Sequence, residues 1–214
     1  MGKYTQGILG AFSGKVGTVI GSSWRGINYM RSLSPKRGNA NASEKQLEQQ
    51  ARFAMITAFL NPVKPILEIG FKNYANGKTG YNSAHSYNLK NALTGITPNL
   101  EIDYSMVLLS RGDLPGVTSL AATSDTAATL NLAWTNNAGK GKAKDTDQLT
   151  VVAFCPSSGE SVYGSAEATR LDEVLAFELP AEFSGETVEA YIFWSSADGK
   201  DISNSKYAGS VAVA

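Results

Sequence analysis

The 214-residue chain predicts two differently built parts, an α+β domain over residues 1–112 and an all-β sandwich over residues 113–214. Three observations lead there. Glycines and β-formers between residues 14 and 32 suit a β-hairpin, helical apolar periods follow as far as residue 93, and from Gly112 only short alternating strands and polar turns remain.

Composition bounds the class. Hydrophobic residues make up 43% and charged residues 18%, a globular rather than a disordered balance. No apolar run approaches the roughly 20 residues that span a bilayer. The first residues offer only Ile8, Leu9, Ala11 and Phe12 as apolar content, too short for a secretory core. Cys155 is the single cysteine, so no internal disulfide forms and no oxidising compartment is required. Synthesis in the cytoplasm is expected, with carriage elsewhere left to a particle or a secretion machine.

A formal charge of zero conceals a division. Residues 1–112 hold 13 Lys and Arg against 5 Asp and Glu, a net +8, whereas residues 113–214 hold 6 against 14, a net −8. Before Glu44 stand Lys3, Lys15, Arg25, Arg31, Lys36 and Arg37 and no acidic residue. Such asymmetry points to an anionic partner or to head-to-tail association of copies, because complementary potentials speed and orient encounter.

The stretch GKVGTVIGSSWRGINYMRS could cradle phosphate or build a hairpin. A P-loop needs glycines five positions apart, then Lys and Ser/Thr, with a helix starting at once. Here Gly14, Gly17 and Gly21 are three and four apart, Ser22 has no lysine before it, and Trp24, Ile27, Tyr29 and Met30 are poor helix openers. The hairpin reading places Val16 to Ile20 on one strand, Gly21-Ser22-Ser23 at the turn and Trp24 to Arg31 on the partner strand. Glycine inside such strands implies bulges or close backbone approach, and a ribbon this poor in side chains needs a neighbour.

SPKRGNANA, residues 34–42, reads as a polar connector. Ser43 then caps a helix with Gln46 at capping-box spacing. Leu47, Ala51, Ala54, Met55 and Ala58 recur on one face and Phe53, Ile56 and Leu60 on another, so this helix is expected to be largely enclosed until Asn61-Pro62 ends it. A short helix is expected over Pro62 to Gly70, an Asn/Gly-rich loop over NYANGKTGYN, and a third helix over Ser83 to Leu93, stopped by Gly95 in a left-handed turn. EIDYSMVLLS, from Glu101 to Ser110, reads as a strand returning to the hairpin. In the second half TLNLAW places Leu130, Leu132 and Trp134 on one face, LTVVAFC and TVEAYIFW supply further strands, and Asp198-Gly199 marks a turn before the last. About seven strands in about 100 residues suit a sandwich of immunoglobulin or fibronectin III type.

The segments GILGAFSGKVGTVIGSSWRGINYMRS, SEKQLEQQARF, FKNYANGKTGYNSAHSYNLKNALTG and SADGKDISNSKYAGSV together resemble an uncharacterised family common in Bacteroidota, catalogued only as a domain of unknown function. The likeness runs over essentially the whole chain and implies no activity. The N-terminal half also resembles a prophage-encoded module built from a glycine-rich hairpin, a connector, a helix and a GYN segment. The C-terminal half resembles fibronectin III in its LxLxW strand.

Chemistry-bearing residues are few. His85 is the only histidine, so a His-based metal cluster is excluded, and a packing or surface role is expected. Cys155, before Pro156, reads as a small apolar filler. Glu101 and Asp103, Asp145 and Asp147, and Asp172-Glu173 are scattered, and DTDQ offers calcium only two carboxylates, so a solvated loop is expected there. No catalytic set, cofactor or metal site is expected.

The strongest constellation is Trp24, Arg25, Tyr29, Arg31, Lys36 and Arg37. Cations interleaved with aromatics suit subunit contact, intramolecular packing or a nucleic-acid strand. The leading expectation is a non-enzymatic structural protein that self-associates or docks through its hairpin. Alternatives are a phage-related nucleic-acid-binding protein using the basic half, and a glycan-binding adhesin using the sandwich.

Overall fold

The computed structural model describes residues 3–4, 10–24, 26–34 and 42–214. Contacts divide the chain into two compact units, Met1–Gln46 and Leu47–Ala214. The division expected near residue 112 falls inside the second unit.

The first unit is an antiparallel sheet in the order β1-β2-β3-β4, with β1 Lys3–Tyr4, β2 Phe12–Val16, β3 Val19–Trp24 and β4 Ile27–Ser32. The single turn expected at Gly21-Ser22-Ser23 is corrected, because those residues lie within β3. Gly17 and Gly26 mark the turns instead, with φ of 60° and 82°. Tight hairpin turns require such positive φ, which glycine adopts without strain. Gly21 serves a different purpose: a Cβ there would stand 2.3 Å from the Phe12 carbonyl oxygen and 2.7 Å from its ring. The strand approaches its neighbour too closely for any side chain.

Helix α1 covers Glu44–Leu60. Its capping box forms as the sequence implies, with the Gln46 amide donating to Ser43 Oγ at 3.4 Å and the Ser43 amide donating to Gln46 Oε1 at 3.1 Å. The expected enclosure of this helix is corrected. Leu47 and Phe53 are 47% and 55% exposed, and burial is confined to Ile56, Phe59 and Leu60 near its C-terminus. Helix α2 runs Lys64–Gly70 and α3 runs Gly80–Asn91, three residues ahead of the expected start, because Thr79 caps it by accepting from the Asn82 amide at 3.1 Å. Gly95 has φ of 76° as a left-handed turn requires, although α3 has already ended. The long strand expected from Glu101 to Ser110 shrinks to β6, Glu101–Ile102, which pairs with β5, Leu93–Thr94.

Seven further strands complete the second unit: β7 Leu120–Thr123, β8 Thr129–Trp134, β9 Gln148–Cys155, β10 Glu160–Thr169, β11 Val174–Glu178, β12 Thr187–Ser195 and β13 Lys206–Ala212. They form antiparallel sheets in the orders β10-β9-β12-β13 and β11-β8-β7. Between these sheets lie Leu130, Leu132 and Trp134 of β8, Val151, Ala153 and Cys155 of β9, and Ala190, Ile192 and Trp194 of β12. The alternate residues Val152, Phe154, Tyr191 and Phe193 turn the other way and join Phe59, Leu60, Ile66, Leu67 and Phe71 of the helical segment. Helices, four-stranded sheet and three-stranded sheet are therefore three stacked layers with two cores. Strands covered on both faces need apolar residues at every position. The run LTVVAFC meets that requirement at every position but Thr150.

No loose linker joins the helices to the strands. Leu109, Gly112 and Leu114 donate backbone hydrogen bonds to Ser205 Oγ at 2.8 Å, Asn204 Oδ1 at 3.1 Å and the Ile202 carbonyl at 3.0 Å. At the same end, Arg170 is completely buried. Its Nε and Nη2 reach Asp147 Oδ2 at 3.2 and 3.1 Å, Nη1 donates to Asn137 Oδ1, and Nη2 donates to the Pro115 carbonyl at 3.0 Å. The guanidinium lies 4.6 Å from the Trp194 ring centroid, and Trp134 Nε1 donates to the Arg170 carbonyl at 3.1 Å.

Three tyrosines cluster on the helix-facing side. Tyr191 donates to the Tyr104 carbonyl at 2.8 Å, Tyr207 donates to buried Glu189, and the two phenol rings lie 5.3 Å apart. Burial first, and the Glu189 charge second, hold the Tyr191 and Tyr104 hydroxyls above their ordinary value; for Tyr207 burial and its hydrogen bond to Glu189 do the same.

Two outcomes follow from this packing. Arg170→Met leaves the Asp147 carboxylate buried without its counter-ion, and urea unfolding should show a loss of about 3–5 kcal/mol; pairing the change with Asp147→Leu should recover much of that loss. The raised tyrosine hydroxyls bind their protons more tightly folded than unfolded. Their contribution is thus complete below about pH 10 and is lost as pH rises towards the folded values. The urea midpoint should fall above about pH 10, and less steeply in Tyr207→Phe.

Candidate assembly surface

Register decides which side chains of the first unit meet. Residues paired across antiparallel strands share a face. Trp24 pairs with Ile27, Ser22 with Tyr29, Ile20 with Arg31 and Lys15 with Ile20, so Trp24, Ile27, Tyr29, Arg31 and Lys15 lie together on one side of the sheet. The structure thus brings together Trp24, Tyr29 and Arg31 of the expected constellation. Arg25, Lys36 and Arg37 lie outside the described residues.

The opposite side carries the row Gly14, Gly21 and Met30, flanked by the paired Val16 and Val19. Phe12 occupies the space that a Cβ on Gly21 would take. Every residue of β4 is exposed, Ile27 at 68% and Met30 at 71%. Both faces of this sheet therefore show apolar area. The sequence reading weighted the aromatics and cations and passed over Ile27 and Met30. The available signal was the β-type run itself, which places Ile27 and Met30 on opposite faces of one strand.

Of the remaining candidates Glu101 is exposed on β6, and the others have structural partners. His85 is buried on α3, its Nε2 lies 3.1 Å from Thr57 Oγ1, and its ring sits 4.4 Å from that of Phe53. Burial holds its pKa below the ordinary value. Cys155 fills the core between the two sheets. Asp103 accepts from the Ser105 amide at 3.0 Å, Asp145 from Asn136 Nδ2 at 2.8 Å and Asp172 from the Thr169 amide at 2.6 Å, while Glu173 accepts from the Asn136 amide at 2.9 Å. The solvated reading of DTDQ is corrected at Asp147, which is fully buried against Arg170. Nothing local announced that pair, because its members are 23 residues apart in the chain. Among the described residues no group of three or more His, Cys, Asp and Glu could hold a metal ion, and no helix is long and apolar enough to cross a membrane.

Comparison with known proteins gives the following. No curated protein matches the chain. Among solved structures, it is similar to the fn3 domain of human collagen alpha-1(XX) chain, at 16% identity and a TM-score of 0.34, over 46% of this chain and 85% of that one. It is also similar to the chicken CNTN1 FN1-FN3 domains, at 8% identity and a TM-score of 0.37, over 49% of this chain and 35% of that one. A family model matches residues 11–209, spanning the glycine-rich sheet, the helices and nearly all of the sandwich, and the chain belongs to that family, a family of unknown function (DUF6266).

Proposed function

We propose that this protein is a non-enzymatic structural component that assembles through its N-terminal sheet and carries a fibronectin III-like sandwich as its displayed part. The exposure of every residue of β4 supports this reading most directly. A small sheet gains stability only when a hydrophobic face is covered, and Val16, Val19, Trp24, Ile27, Tyr29 and Met30 are all exposed. β4 is also the last strand of its sheet, and a free edge accepts strands from a partner. The charges of +8 and −8 on the two halves favour contact between unlike halves of successive copies. Such head-to-tail contact closes into a ring or extends as a filament, according to its rotation. A phage-derived particle or surface appendage is the setting suggested by the likeness of the N-terminal half to prophage modules.

Light scattering across protein concentration, at low and high salt, tests this. Oligomers are expected. Ile27→Lys with Met30→Glu should weaken association by a factor of about ten or more, since each buried apolar side chain is worth about 1.5–3 kcal/mol. A strictly monomeric species at high concentration in both salts rejects self-assembly.

A second reading is supported by the shared face of Trp24, Tyr29, Arg31 and Lys15, which could stack bases and neutralise phosphates. Under it, a single-stranded oligonucleotide binds with an affinity that falls steeply with salt and is lost on changing Arg25, Arg31 and Arg37 to Ala. Fluorescence anisotropy decides between the two, because the assembly reading expects no such binding.

A further inference from the structure

A cavity of about 230 Å³ opens in the second unit beside α3, lined by Tyr74, Lys78, Tyr87, Lys90 and Arg111 with Ser86 and Asn91 among its polar groups. Its lining contains three cations and no carboxylate. The assembly reading makes no use of it.

Arg111 is held in place by aromatic rings. Its guanidinium lies 4.5 Å from the Tyr74 centroid and 5.9 Å from that of Tyr87. Such a cation–π contact uses none of the guanidinium N–H donors as hydrogen bonds and leaves them for an acceptor. The Arg111 backbone is fixed as well, its amide donating to the Gly70 carbonyl at 2.9 Å. Among the described residues neither Arg111 nor Lys90 forms an ion pair. A side chain ordered on two rings, with its donors unspent and a second cation beside it, is pre-organised for an oxyanion.

The cavity is smaller than the roughly 300–1,000 Å³ typical of drug-sized ligands. It suits a small group with several acceptor oxygens. Arg supplies a fork that matches two of them, Lys90 supplies a point charge, and the Ser86 hydroxyl supplies a neutral donor, while Asn91 Nδ2 spends one N–H on the Tyr87 carbonyl at 2.7 Å and keeps the other. We infer that this cavity is a binding site for a phosphate group, presented by inorganic phosphate or a small phosphate monoester, with Arg111 as its principal anchor and Lys90 as the second charge.

The full chain is titrated with inorganic phosphate at constant ionic strength, followed by amide and tyrosine-ring NMR signals. Saturable shifts confined to α3, the 71–78 segment and Arg111 are expected. Lys90→Gln, an exposed helix-surface change that leaves the fold intact, should weaken binding about tenfold, and Arg111→Ala by more. Arg111→Lys should rescue only part of that loss, since it keeps the charge and removes the fork. The control Lys140→Gln, a lysine outside the cavity lining, should change nothing. Three results overturn the inference: shifts reproduced by chloride at equal ionic strength, acetate binding as tightly as phosphate, or a Lys90→Gln variant that binds phosphate as the parent does.

Discussion

The structure depends on one constraint, that both faces of the central strands β9 and β12 must be kept dry. Val151, Ala153, Ile192 and Trp194 face the second sheet, while Val152, Phe154, Tyr191 and Phe193 face the helices. Removing either covering layer exposes a continuous apolar surface. Hydrophobic burial on two sides thus binds the helices and the strands into one unit, and the backbone bonds from residues 109–114 to residues 202–205 leave no slack between them. The buried polar groups fit within this scheme. Tyr191 and Tyr207 place their hydroxyls on a carbonyl and on Glu189, so each polar tip is satisfied while the ring adds to the helix-side core.

Much of this was legible in the sequence, and the failures have physical causes. Local signals were read well: Ser43 and Gln46 cap α1, Pro62 follows its end, and Leu130, Leu132 and Trp134 point inward together. Non-local relations were not. LTVVAFC was recognised as a strand, yet its lack of polar alternation also meant that something covered its second face, and the helices do so. Gly-Ser-Ser at residues 21–23 imitates a turn in composition, whereas the positive φ at Gly17 and Gly26 sets the turns. The face shared by Trp24, Tyr29 and Arg31 follows only once that register is known. Of the cavity's cations, Lys78 and Lys90 lay in stretches read as a loop and a helix and Arg111 at the end of the expected first domain, and they converge through chain folding rather than spacing.

The two units follow opposite rules. In residues 47–214 side chains interdigitate in two cores, and the buried polar groups are largely paired. In the N-terminal sheet, Gly14 and Gly21 face each other across the strands and little is enclosed. Backbone pairing sets the shape of such a sheet, while the side chains of β4 stay exposed. That contrast underlies the proposal that contact is made through the first unit.

Arg170 has an implication for how the sandwich can vary. Lying between β10 and β11, it ties Pro115, ahead of β7, to Asn137 and Asp147 in the β8–β9 connection, so three connections meet at one end of the strands. A change of length in any of them pulls on a guanidinium that has no access to water. That pole of the sandwich is locked against insertion. The opposite pole, with the loops around residues 125–128, 157–159 and 184–186, carries no comparable buried guanidinium, so a change of loop length there disturbs less.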